Sequence, residues 1–224
     1  MKYAIPFTFL MALLLVSCIK DDFIFDTVEP ELRITTAVDT LAIDDSFPLE
    51  AMYLNNIGVE EEVSFLWESL TPSIVSVDEQ GVVRALQEGT AIIVVSYDNG
   101  SESLSDSIMI AVGVNTVITI ENRSGVIQTT SSYLLEGDFE MSAQGGGVLL
   151  SVAANYRAST ALPGLYLYLS NNPNSIANAL EVGRVEVFAG AHTYQVPDTG
   201  INQYDYLVYF CKPFNVKVGD GLIE

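Results

Sequence analysis

The chain has 224 residues, 49% of them hydrophobic, with 29 acidic and 9 basic side chains and a net charge of −20. That is enough apolar material for one or two cores, while so few Lys and Arg exclude nucleic acid and electrostatic docking on anionic lipid. One His and two Cys exclude a poly-His centre, a disulfide framework and a zinc ribbon.

Residues 1–17 read as an export signal. Lys2 gives a positive start, and Ala4 to Val16 form an apolar stretch that falls short of the roughly 20 residues a membrane span takes. Leu15-Val16-Ser17-Cys18 resembles the lipobox of bacterial lipoproteins, in which the Cys is acylated and becomes the mature N-terminus. The resemblance makes Cys18 a lipid attachment point, with outer-membrane lipid as its partner. Each acyl CH₂ contributes about 0.8 kcal/mol, so several chains on one Cys anchor a protein durably. Lys20, Asp21 and Asp22 then resemble the surface-export signal of lipoproteins in one group of Gram-negative bacteria. Residues 18–30 are expected to be an acidic linker to a domain exposed at the cell surface.

Beyond the linker no long helical periodicity occurs. Short β-branched and aromatic runs alternate with turn residues, so the expected class is all-β. Residues 19–112 carry 19 acids and 3 bases, and residues 113–224 carry 10 acids and 5 bases. This asymmetry places a boundary near Gly113 and divides the chain into domains at 31–112 and 113–224.

In the first domain the runs Leu32–Val38, Phe47–Leu54, Val63–Glu68, Ile74–Val77, Val82–Ala85, Ala91–Tyr97 and Leu104–Val112 are predicted strands. Asp98-Asn99-Gly100 is predicted to be a tight hairpin turn, and Asp78 to Gly81 a second turn with Gly81 in a left-handed position. Trp67, in phase with Phe65, is expected to fill the core. Trp67-Glu68-Ser69, Pro72 to Asp78, Gly81 to Ala85 and Gly89 to Val94 together resemble the bacterial Ig-like group 2 domain. That likeness implies a β-sandwich acting as a spacer or adhesive module, without catalytic residues.

In the second domain the predicted strands are Val117–Glu121, Leu134–Ser142, Val148–Ala154, Leu165–Leu169, Val182–Phe188, His192–Val196, Tyr206–Cys211 and Phe214–Val218. A short helical turn is expected over Ile176–Leu180. Tyr168-Leu169-Ser170, Tyr194 to Pro197 and Cys211 to Phe214 resemble the electron-transfer DM-thirteen family, most closely after residue 165. The likeness implies an antiparallel β-sandwich or barrel with a redox role centred on Cys211, on which Phe210 stands where the family often has Trp. An unknown redox partner or surface ligand would complete it.

Two roles fit Cys211 on physical grounds. With Cys18 acylated it has no intrachain disulfide partner, so it is either a small buried hydrophobe or an exposed thiol put to use. On a strand it shares a face with Leu207 and Tyr209, and Lys212 points the other way. His192, in phase with Tyr194, fits a structural hydrogen-bonding role better than a ligand role. No motif calls for a cofactor; were haem or a metal bound, Cys211 and His192 would be the economical ligand pair. No G-x-S-x-G, H-E-x-x-H, C-x-x-C or P-loop occurs, and the reading is of a non-enzymatic protein. Cysteine-centred redox work and non-redox adhesion or ligand binding are its two alternatives.

Overall fold

The computed structural model describes residues 26–224. Its chain is all-β, and its strands form two sets. The first set holds β1 (Glu31–Ile34), β2 (Thr40–Ala42), β3 (Ser46–Pro48), β4 (Ala51–Leu54), β5 (Glu60–Glu61), β6 (Leu66–Ser69), β7 (Val75–Val77), β8 (Val82–Ala85), β9 (Gly89–Asp98) and β10 (Ser103–Gly113). They make three small sheets, ordered β1-β4-β5, β2-β10-β9-β6 and β3-β8-β7. All pairings are antiparallel except β2 with β10, where Thr40 lies opposite Ala111.

Alternation explains the core. In β9, Ala91, Ile93 and Val95 are buried between more exposed neighbours, and Ile110 and Val112 of β10 join them. One apolar cluster gathers Leu41, Val75, Val83, Ile93 and Ile110, and a smaller one Leu32, Tyr53 and Val95. Trp67 packs against both, with Phe65 beside the smaller, so the single indole joins the two halves of this core.

Two turns differ in kind. The Asp98-Asn99-Gly100 segment belongs to a four-residue loop, since Asp98 pairs with Ser103. The Asn99 side-chain oxygen accepts from the Ser101 and Glu102 amides at 2.9 Å each, and only Gly100 there takes a positive φ. The Asn side chain thus replaces the tight two-residue turn that the dipeptide predicts. At Gly81 the φ of 80° matches expectation, and an added Cβ would lie 2.9 Å from both the Leu49 carbonyl and the Trp67 ring.

The second set comprises β11 (Arg123–Thr129), β12 (Leu135–Gln144), β13 (Gly147–Val152), β14 (Arg157–Ala158), β15 (Leu165–Ser170), β16 (Leu180–Arg184), β17 (His192–Pro197), β18 (Tyr206–Cys211) and β19 (Val216–Leu222). They form one antiparallel sheet in the order β16-β15-β18-β19-β11-β12-β13-β17, with β14 on β12, curled into a nearly closed barrel. Its interior is a single cluster that includes Ile127, Leu150, Leu167, Leu207 and Tyr209. Gly145 and Gly146, at φ 62° and 80°, make the two-residue turn between β12 and β13.

Two expectations change here. Val117–Glu121 is not a strand: Val117 makes one bridge to Thr40, and the rest is a connecting segment between β10 and β11. Beyond that bridge the segment pairs with no strand among the described residues, and Ile118 and Ile120 stay exposed. The strand β11 replaces it, in a stretch whose polar and glycine residues hide the pattern. Ile176 to Ala179 closes a single turn, the Ala179 amide donating to the Ile176 carbonyl at 3.2 Å, before Leu180 opens β16, and Lys212–Phe214 forms a short 3-10 turn with Pro213 inside it.

Candidate functional site

Arg33 is the sole basic residue of β1, flanked by apolar Leu32 and Ile34. Strand alternation turns it away from Leu32's core and toward the second domain, where it is only 9% exposed. Its Nη1 donates to Asp205 Oδ1 at 2.6 Å and its Nη2 donates to Asp205 Oδ2, a forked pair. Nη1 also donates to the Asn202 carbonyl at 3.3 Å, and Glu31 accepts from Nη2 at 3.1 Å.

Asp205 sits just before β18 and is held in turn. The Asn171 side-chain oxygen accepts from its amide at 3.1 Å, and its carbonyl accepts from the Ile223 amide at 2.7 Å. Arg123, at the start of β11, approaches Asp205 at 3.8 Å and donates to the carbonyls of Tyr204, at 3.1 Å, and Ile223. Burial lowers the Arg123 pKa, and the Asp205 charge opposes that shift. Burial likewise raises Glu31, against the pull of Arg33.

Amides extend the contact between domains. Asn202 donates to the Thr35 carbonyl at 3.1 Å, and Asn172 donates to the carbonyls of Ile57, at 3.2 Å, and Asp26. A Cβ on Gly58 would lie 2.7 Å from the Asn171 carbonyl, so the two backbones meet closely there. Beside this junction opens a cleft of about 1400 Å³. The first domain lines it with Thr35, Phe47, Glu50 and Met52, the connecting segment with Ile118 to Asn122, and the second domain with Gly145 to Gly147 and Thr199 to Gln203. Its charged groups are Asp39, Glu50, Glu60, Glu121 and Glu224, against Arg123 alone.

The residues singled out in the sequence lie elsewhere. Cys18, Lys20, Asp21 and Asp22 fall outside the described residues. Cys211 is a free cysteine with 0% exposure, opposite Leu165 on β15 and Val216 on β19, inside the apolar cluster of the barrel. Leu207 and Tyr209 share its inward face, as alternation requires. Phe210 is partly exposed on the other face. Lys212 lies outside too, its Nζ 3.9 Å from the Tyr166 ring centre and 2.6 Å from Glu181. No charge is therefore available to activate the Cys211 sulfur from that side.

His192 occupies β17, which pairs only with β13, whereas Cys211 occupies β18 between β15 and β19. The imidazole packs edge-on against Tyr156 at 4.9 Å and Tyr194 at 5.3 Å between ring centres, and its Nδ1 lies 2.9 Å from the Gly190 carbonyl. Among the described residues no group of three or more His, Cys, Asp or Glu side chains is placed to hold a metal ion. Sequence reasoning missed Arg33 and Asp205 entirely. The available signal was a lone Arg inside an apolar strand of a domain with almost no bases.

No known protein family matches the chain in a scan of family models. An uncharacterised protein of Clostridium acetobutylicum is 34% identical over 95 residues, which is 42% of this chain and 23% of that protein. The chain thus spans under a quarter of that relative's length. Among solved structures, domains of the S-layer protein SbsC align over 86% of the chain at 16–17% identity, with TM-scores of 0.29 to 0.30. For domains 4 and 5 of SbsC the alignment takes in 96% of the solved chain.

Proposed function

We propose that the chain is a lipid-anchored surface protein that works by binding, with the cleft between its two β domains as the binding site. The observation that carries this reading is the cleft itself, whose walls come from different domains locked together by the Arg33–Asp205 fork. Clefts at domain junctions are preferred ligand sites, and a locked junction presents a preorganised one. The ligand class follows from charge. Five carboxylates face one guanidinium already engaged with backbone carbonyls, which repels polyanions and favours a cationic or neutral polar ligand such as a basic peptide segment.

The anchoring part of the reading rests on Cys18 and its lipobox-like context. The tether then leaves from the domain junction, because the Val28 amide donates to Asn56 at 2.9 Å and Asp26 accepts from Asn172. Eight residues from Cys18 to Asp26 reach roughly 28 Å fully extended. Both domains accordingly stay close to the membrane, and the Ig-like domain is no end-on spacer for the second.

Electron transfer through Cys211 needs that sulfur to meet a partner. Its complete burial among apolar side chains supports the packing role instead. The test is titration of the purified protein with oligolysine and with polyglutamate, beside a Glu50→Gln/Glu121→Gln variant. Binding of oligolysine that weakens several-fold in the variant supports the reading. Indifference to oligolysine, or equal binding of both polymers, overturns the charge argument.

A further inference from the structure

Inside the barrel, away from the cleft, three polar atoms are buried without a hydrogen-bond partner: Tyr156 Oη, Tyr209 Oη and His192 Nε2. Both tyrosines are 0% exposed. Their positions link up, with Tyr156 4.9 Å from the His192 ring and 6.1 Å from the Tyr209 ring, centre to centre. The two phenol oxygens perturb each other's ionisation, yet they form no hydrogen bond of normal geometry.

Leaving such groups dry is costly. A buried hydroxyl or ring nitrogen without a partner loses its hydration and gains nothing in return, and native proteins hold only a few such groups per hundred residues. Chance does not explain the choice of residues either, because Phe at either tyrosine position would fill the same space without a polar atom.

The donor and acceptor roles are fixed by chemistry. A carbonyl only accepts, so His192 Nδ1 carries the proton shared with Gly190, and in the neutral imidazole this leaves Nε2 as an acceptor. Burial keeps both phenols protonated, raising each well above its ordinary range, so each offers an O–H donor. Two donors and one acceptor match the needs of a water molecule, which can donate to Nε2 and accept from both phenols. Internal waters typically make about three such bonds.

We propose that Tyr156, Tyr209 and His192 form an internal hydration site that holds an ordered water within the barrel core. The water ties β17 to β18, strands that do not pair in the sheet, through the loop residue Tyr156. The site gives the His and the paired tyrosines of this core a structural purpose that neither the cleft nor Cys211 supplies.

Oxygen-17 relaxation dispersion of the full-length protein in detergent counts long-lived internal waters, and thermal unfolding reads the balance of each hydroxyl. The expected result is a long-lived water contribution in the wild type that falls in Tyr209→Phe, with a lowered unfolding midpoint. An unchanged water contribution in that variant overturns the proposal. So does a raised midpoint, because removing a hydroxyl that nothing satisfies relieves its desolvation. Tyr156→Phe serves as the second variant with the same two readings, and a high-resolution crystal structure lacking density between the three atoms also overturns the site.

Discussion

Arg33 and Asp205 are 172 residues apart in sequence and meet in a forked ion pair at the seam between the two domains. Their side chains keep only 11% and 18% of their surface. A pair so desolvated behaves unlike a surface salt bridge, since removing one partner leaves the other charge stranded.

Replacing Arg33 with Ala is therefore expected to destabilise the protein by about 3–5 kcal/mol and to separate its unfolding into two calorimetric transitions. The pair variant Arg33→Met/Asp205→Leu should recover much of that loss, because apolar side chains of similar volume replace buried ions well. A single, unshifted transition in Arg33→Ala would refute the coupling.

Cys211 is expected to resist alkylation in the folded protein and to react in step with denaturant-induced unfolding. Cys211→Ser should cost about 1–3 kcal/mol, because it buries a hydroxyl among apolar neighbours. Rapid labelling under native conditions would return the redox reading to first place.

Two glycines separate conformational need from steric need. Gly81→Ala meets both a positive φ and a 2.9 Å approach to the Leu49 carbonyl and the Trp67 ring. It should cost more than about 1 kcal/mol, with a change in Trp67 fluorescence. At Gly145 an added Cβ meets nothing within 4 Å, and Asn suits the first position of its turn. Gly145→Asn should change stability by less than about 0.5 kcal/mol.

Tyr53 donates to Glu102 at 2.7 Å, and that bond, with burial second, pushes its pKa up to about 12. An unfolded Tyr ionises near 10. The native state thus keeps a proton that the unfolded chain releases, so this contribution to stability is whole below pH 10 and is lost as pH rises toward 12. Absorbance titration at alkaline pH should show one late phenol fewer in Tyr53→Phe, and that variant should lose less stability between pH 10 and 12.

Where hydrophobic alternation is strong, the sequence was legible. The runs around β9, β10, β12, β13, β15, β17 and β18 fall within a residue or two of their expected places, because β9, β12, β13 and β17 bury alternate side chains and β15 and β18 are apolar almost throughout. Failures follow equally physical lines. Strand β11 was hidden by Ser124, Gly125 and Gln128, since its place comes from pairing with β12 and β19 rather than from its own apolar content. Val117–Glu121 looked like a strand, but β propensity without a neighbouring strand leaves only a bridge. Cys211 illustrates the same limit at one residue. Its inward phase with Leu207 and Tyr209 was readable, while the depth of its burial was set by β15 and β19 on either side.

Composition and alternation alone determined an all-β chain, its acidity and the inward faces of its longer strands. These are local properties, carried by neighbours a few residues apart. Tertiary structure alone decided that Arg33 reaches Asp205, that a cleft opens beside them, and that Tyr156 packs against both Tyr209 and His192. Such contacts join strands distant in the chain, and no periodicity records which charge or hydroxyl will lie opposite another once two sheets have closed.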